Sequence, residues 1–301
     1  SALIKKESYK DIFAPSYQKP FYKFILIKKL KNYKIKIKGV INWFENQTID
    51  RALVLGFKEY YPRIQIKGYQ SYFFPKFDLH KNPTNIEIKR NTVPDDIYVI
   101  SKDSLKDRSK HFKHLNFKLA PGLRFEYLNK INYKKTNKEL IFIPLSIDIN
   151  HCKQLIDFTK QIKENFFKNS SIVYKYHPKF TKKEFFKLLP EAKDKTLLFS
   201  SESSDKIISK SSMIISSASS LCVEAVSIGI PVAILANNNG FTKSPLPEAK
   251  ENDIWCTFYS KEDFKTFLNK IKIDFPEKKY NFFNKFSSNE VRDFFFEFKE
   301  L

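Results

Sequence analysis

Apolar runs of strand length alternate with helical patterns along most of this chain. Residues 36–43 (KIKGVINW) predict a strand, and 45–61 an amphipathic helix with Ile49, Ala52, Leu53 and Phe57 on one face. Residues 63–69 predict the next strand. Another follows at 97–101, with Ser101 or Asp103 as the cap of a succeeding helix, and 117–120 closes the series. The polar stretch 129–138 (NKINYKKTNK) then separates this half from a second one. That half opens with the apolar run 140–147 and continues with helices at 152–167, 182–189 and 221–228. Strands are predicted at 171–176, 196–199, 213–215 and 232–235. Strand and helix repeating in this way mark a parallel sheet covered on both faces.

Two such halves predict an α/β protein of two Rossmann-like domains whose parallel sheets face a cleft. The expected division is 1–136, 137–288, and a terminal helix at 289–301 packing back across the first domain. Residues 1–37 show little of the strand and glycine loop that usually open such a domain. With Ser1-Ala2 reading as an expression scar, the first domain is expected to be incomplete.

Composition alters this picture little. The 301 residues suffice for two cores, and 42% hydrophobic content belongs to a folded protein. A net charge of +21 points to an acidic partner, but abundant Lys, Asn, Ile and Phe with scarce Gly and Met are also what an AT-rich genome produces. Cys152, Cys222 and Cys256 are too widely spaced for a metal or disulfide framework, so a reducing compartment is the simpler expectation. No window has the length and apolarity of a membrane span, and no signal peptide opens the chain. The expected location is the cytoplasm. If the basic excess is functional, its use is peripheral contact with the anionic inner face of the inner membrane.

Three segments carry candidate chemistry, each just beyond a strand. The first is 174–179 (YKYHPK), where His177 and Lys175 offer an imidazole and an ammonium to an anion; a plain basic loop is the alternative. In the second, 216–225 (SSASSLCVEA), serines open a helix, adding hydroxyls to free N–H groups and the positive end of the helix dipole. Glu224 lies one turn in, within reach of a ribose whose phosphate sits at the cap. Taken alone, the serine run reads as a linker or cap. In the third, Asp148 follows the apolar run at 140–147 and is either a carboxylate facing the cleft or the cap of the following helix.

His-Pro at one strand end and Ser-Ser before a helix resemble the donor signatures of GT-B glycosyltransferases that use CMP-activated acidic sugars, the bacterial sialyltransferases and Kdo transferases. The resemblance implies that His177, Ser219 and Ser220 hold the CMP phosphate and Glu224 the ribose. In the first half, Trp43-Phe44-Glu45-Asn46-Gln47, Asp50-Arg51-Ala52, Gly56-Phe57, Pro62 and Gly68-Tyr69-Gln70 resemble the retaining β-Kdo transferases of glycosyltransferase family 99. This implies transfer of Kdo from CMP-Kdo to a saccharide or lipid-linked acceptor in lipopolysaccharide or capsule synthesis. By the same resemblance Asp148 is the candidate nucleophile. Glu45, at the end of a strand of the first half, is the candidate base; the sugar carboxylate needs a cation, for which Arg124 or Lys175 is the candidate, and Gln47 is a further candidate contact to the sugar carboxylate or acceptor. Glu45 has a helix-capping pattern as its alternative.

No cofactor and no metal are expected, since no Asp-rich motif stands at a comparable strand end. Rival readings are a sialyl- or other nonulosonic-acid transferase, a UDP-sugar enzyme, a non-catalytic domain of a larger assembly, or a basic nucleic-acid-binding protein. The last is disfavoured, because most aromatic residues fall at core positions rather than among clustered lysines, so nucleic acid is not an expected partner.

Overall fold

The structure, a computed structural model, describes residues 15–73, 78–131, 140–217, 219–251, 253–273, 280 and 282–299. It divides into two compact units, one of residues 1–72, 79–124 and 282–301, the other of 73–78 and 125–281. The expected boundary at 136/137 lies outside the described residues.

The first unit is built on four parallel strands in the order β1-β2-β3-β4: Gly39–Trp43, Gln65–Gln70, Asp96–Val99 and Phe117–Leu119. Helix α1 (Pro15–Asn32) precedes β1, and α2 (Thr48–Tyr60) crosses from β1 to β2. The two helices meet at Gly56, where an added Cβ would stand 3.2 Å from the side chain of Ile27 and 3.5 Å from the Phe24 backbone. Ile27, Val54, Phe57, Tyr61 and Ile66 form the core beneath them. Short helix α3 (Asn85–Lys89) and α4 (Lys102–His111) follow β2 and β3. Ser101 caps α4 by accepting from the Ser104 N–H at 3.3 Å.

The second unit holds six parallel strands. They are β5 (Leu140–Pro144), β6 (Ser171–Lys175), β7 (Leu198–Phe199), β8 (Met213–Ser216), β9 (Val232–Leu235) and β10 (Trp255–Phe258). Their order is β10-β9-β8-β5-β6-β7. Counted within the unit this is 6-5-4-1-2-3, the doubly wound order, in which the direction of winding reverses between β5 and β8. The crossovers are α5 (Ile149–Phe166), α6 (Lys182–Leu188), α7 (Ser204–Ile208) and α8 (Leu221–Ser227), and α9 (Lys261–Ile273) follows β10. Strands β8 and β9 are buried at every position, which explains their unbroken apolar runs.

Aromatic rings fill the gaps between sheet and helices. Phe264 packs 5.0 Å from Phe258 and 5.4 Å from Phe158, and Thr159 ties α5 to β6 through the Tyr174 hydroxyl at 2.7 Å. Full burial of each such Phe contributes roughly 1.5–3 kcal/mol. The last helix, α10 (Ser288–Phe296), belongs to the first unit, where the Phe294 ring lies 5.3 Å from Tyr69 of β2 and 5.1 Å from Tyr98 of β3. Lys67 of β2 is almost completely buried and donates to the carbonyls of Phe294 and Glu297 at 2.8 and 2.5 Å. An ammonium at the C-terminal end of a helix also meets the negative end of its dipole.

Five of these elements have no counterpart in the sequence reading: α1, α3, α7, β10 and α9. The helix expected at 45–61 begins only at Thr48, because Asn46 takes a left-handed backbone (φ 57°) and Gln47 caps the helix. The two parallel α/β units themselves match the expected fold class.

Candidate functional site

In the second unit the carboxyl ends of β5, β6 and β8 lie side by side at the reversal point, the place where doubly wound sheets receive ligands. The loops there carry Asp148, His177, Ser219 and Ser220, so four residues spread over 73 positions of sequence share one edge of one sheet. The ends of β6 and β8 are two strand spacings apart, roughly 10 Å.

His177 is half-buried, and its Nδ1 accepts from the Lys179 N–H at 3.1 Å. That bond puts the ring proton of the neutral imidazole on Nε2, which is left as a donor. Burial, with help from the neighbouring Lys179 charge, holds the ring below its ordinary value of 6.5, so it is neutral at pH 7. Lys175 donates to the carbonyl of Glu202, beyond β7. Its ammonium is therefore turned toward the β7 edge of the sheet and not toward the serines after β8.

The serine segment divides its roles. Ser216 Oγ donates to the Pro144 carbonyl at 3.2 Å and fastens β8 to the end of β5. Ser219 Oγ accepts from the Leu221 N–H at 3.3 Å. The N–H groups of Cys222, Val223 and Glu224 all bond back to the carbonyls of Ser219 and Ser220. The N–H groups of residues 221–224 in the first turn of α8 are thus taken within the segment itself. What the segment offers is hydroxyls. Ser220 makes no side-chain cap bond, and Ser217, fully buried, has a hydroxyl without a partner. A buried hydroxyl left unpaired is costly.

Glu224 is 5% exposed, and one of its oxygens accepts from the Tyr127 hydroxyl. Asp148 is exposed and caps α5: its Oδ1 accepts from the N–H groups of Asn150 at 3.0 Å and His151 at 3.3 Å. Its backbone is held by Ser146, whose Oγ accepts from the Asp148 N–H at 3.2 Å.

In the first unit, Glu45 is the centre of a compact network after β1. It accepts from Lys81 Nζ at 2.6 Å, Trp43 Nε1 at 2.9 Å and Gln47 Nε2 at 2.9 Å, while Lys81 also reaches the Tyr72 hydroxyl at 2.9 Å. Burial pushes the Glu45 carboxyl up, but the donors Lys81, Trp43 and Tyr72 together outweigh it and leave it below its ordinary value. Glu45 is therefore ionised throughout the neutral range. Trp43 is 44% exposed and stacks on Tyr72 with ring centres 5.8 Å apart.

Beside this network lies a cavity of about 850 Å³, with Lys19, Asn46, Gln47, Arg51, His80 and Glu87 in its walls. Arg51 is paired with Glu87 at 2.7 Å. Asn46 donates to the His80 carbonyl at 3.0 Å, and its buried Oδ1 has no partner. Arg124 is exposed and is the last residue of the 79–124 part of this unit.

Sequence reasoning did not single out Ser217, Tyr127, Tyr72 or Lys81. Among the described residues, no group of three or more His, Cys, Asp or Glu side chains is placed to hold a metal ion. No helix there is long and apolar enough to cross a membrane.

No family model matches the chain, and no curated protein matches it. Solved structures do. The UDP-GlcNAc 2-epimerase from Neisseria meningitidis, bound to UDP-GlcNAc, superposes with a TM-score of 0.58 at 16% identity over 94% of this chain and 82% of its own. The UDP-GlcNAc 2-epimerase from Methanocaldococcus jannaschii gives 0.59 at 14% identity, covering 92% and 82%. The UDP-forming α,α-trehalose-phosphate synthase from Burkholderia vietnamiensis gives 0.54 at 9% identity, covering 86% and 72%. At these identities the likeness is one of architecture. The chain has the GT-B-like fold of these nucleotide-sugar enzymes, an α/β architecture of two units, each built on a parallel sheet.

Proposed function

We propose that the protein is a glycosyltransferase that moves Kdo from CMP-Kdo to a saccharide acceptor in bacterial surface-polysaccharide synthesis. The observation that carries this reading is that the loops bearing His177 and the serines at 217, 219 and 220 follow the two strands that flank β5 at the reversal point of a doubly wound sheet. The fold shared with enzymes of UDP-sugars supports the nucleotide part, and the sequence resemblance supplies the sugar.

In this reading the neutral His177 gives its Nε2–H to the CMP phosphate, and Ser219 and Ser220 add hydroxyl donors. The buried Ser217 hydroxyl joins them. Glu224, which the Tyr127 hydroxyl contacts, accepts from a ribose hydroxyl. The phosphate departs as an anion, so departure depends on these donors and not on protonation. Asp148 attacks the anomeric carbon through the oxygen that does not cap α5, the bond from that carbon to the CMP oxygen breaks, and its electron pair leaves with CMP. An acceptor hydroxyl then displaces Asp148 from the same carbon and gives its proton to Glu45. Acceptor selection falls to the cavity beside Glu45 and Gln47, with Arg124 as the partner of the sugar carboxylate. No metal has a part in this scheme.

One observation favours a second reading, a UDP-sugar enzyme, because the similar solved structures are of UDP-sugar enzymes. A donor panel separates the two. The full chain is incubated in turn with freshly made CMP-Kdo, CMP-sialic acid and UDP-GlcNAc, and released nucleotide is measured beside the intact protein mass. CMP release from CMP-Kdo, with a mass increase of one Kdo, is the expected result. Release of UDP alone moves the assignment to the second reading, and no release from any donor sinks both.

A further inference from the structure

Between residues 19 and 38 the chain carries eight lysines, and between 12 and 44 not one Asp or Glu. The net charge is therefore not evenly spread. This stretch is α1 and the extended segment that leads to β1. Seven of the eight lysines are exposed, and none of the eight ammonium groups pairs with a carboxylate among the described residues.

The same stretch exposes large apolar side chains. In α1 the face of Ile27 packs on α2, with Leu30 partly buried against the same core. At 100° per residue, Phe21 and Tyr22 stand about 120° and 140° from Ile27, on the far side of the helix, and Leu26 about 100° from it, at the flank; they are 61%, 64% and 45% exposed. Beyond the helix end, Tyr33 is 77% and Ile35 48% exposed. A helix that is apolar on both sides but packed on only one leaves a surface that water solvates poorly. Aromatic and aliphatic side chains interleaved with unpaired lysines make a surface whose apolar groups enter an acyl boundary while its ammoniums meet phosphates.

We infer that α1 and the segment to residue 38 dock on an anionic lipid bilayer, with Phe21, Tyr22 and Leu26 entering the interface and the lysines binding lipid headgroups. Each lysine near such a surface contributes about 1 kcal/mol, and the attraction falls off within a Debye length of roughly 10 Å in ordinary salt. Docking of this strength is reversible. Lys19 of the same helix also walls the cavity beside Gln47, so the docked face and that cavity belong to one unit. The inference is independent of the donor sugar.

The test uses the full chain and sedimentation with vesicles of phosphatidylcholine alone, or with roughly one part in three of phosphatidylglycerol. Binding to the anionic vesicles only is expected, lost at high salt. Lys28→Gln with Lys29→Gln should weaken it about 30-fold, the equivalent of two lysines. Phe21→Ser with Tyr22→Ser and Leu26→Ser should weaken it at least as much. All five positions are solvent-facing, and an unchanged circular dichroism spectrum confirms the fold of each variant. In a second readout, Phe21→Trp should gain fluorescence quenching by brominated acyl chains over the wild type. Absence of binding to anionic vesicles overturns the inference, as does full binding by both variants. Binding to a single-stranded oligonucleotide that is tighter than to vesicles and lost in the same variants also overturns it, and assigns the face to nucleic acid.

Discussion

Asp148 can be made to declare its role because the two roles ask for different chemistry. As the cap of α5 it needs only an oxygen that accepts from the Asn150 and His151 N–H groups, at 3.0 and 3.3 Å. Asn and Ser provide that nearly as well as Asp, whereas Ala does not. As a nucleophile it needs an ionised carboxylate, which neither Asn nor Ser has. Loss of the cap costs about 1 kcal/mol, and loss of the charge at the helix N-terminus adds a few tenths. For a unit of this size that is a fall in Tm of about 2–4 °C per kcal/mol. Asp148→Ala should therefore lower the calorimetric Tm by a few degrees and abolish transfer, while Asp148→Asn should hold the Tm and still abolish transfer and the covalent adduct in the intact mass spectrum. Transfer retained by Asp148→Asn would remove the nucleophile and leave a cap. A Tm unchanged in Asp148→Ala would refute the capping argument.

Three further outcomes follow from buried charge. Burial holds His151 below its ordinary 6.5, against the Leu235 carbonyl, so the unfolded chain binds more protons than the folded one. Stability from this residue is then complete above pH 6.5 and lost as the pH falls through the lower folded value; His151→Gln should flatten urea-unfolding midpoints across that window, and an unchanged slope would contradict this. Glu45→Gln keeps the hydrogen-bonding shape but leaves the 9%-exposed Lys81 ammonium without its counter-charge, which should cost about 2 kcal/mol by chemical denaturation. A loss below a few tenths would mean that the pair is not buried in solution. Lys67→Ala strands the carbonyls of Phe294 and Glu297, and limited proteolysis should then cut the C-terminal segment faster than in the wild type; equal rates would contradict the anchoring role.

What the sequence disclosed, and what it withheld, divides along physical lines. Strands β8 and β9 are legible because burial on both faces demands unbroken apolar runs, and those runs are present. Helix α1 is illegible for the same kind of reason: its apolar residues go all round, so no 3.6-residue stripe stands out from the lysines. Strand β10 (WCTF) is as long as β8 and β9 but lacks their unbroken apolar run, so nothing in it stands out from a loop. His177, Ser219 and Ser220 could be found because a strand end announces itself locally. Lys81, 36 residues from Glu45, could not, since only the crossing of the chain brings it back. Ser217 lies farther from the helix start than Ser219 and Ser220, so pattern favours those two, although the Ser217 hydroxyl is buried without a partner. That the N–H groups of residues 222–224 close on the carbonyls of Ser219 and Ser220 is a detail below the reach of pattern.

The account stands most directly on a nucleotide at the reversal point of the second sheet. Titration calorimetry of CMP and of UDP into the wild type, His177→Ala, and Ser219→Ala with Ser220→Ala tests it. Saturable CMP binding, tighter than UDP and weakened about 10-fold or more in each variant, is the predicted result. Equal affinity in the wild type and both variants, or no CMP binding at all, would contradict it.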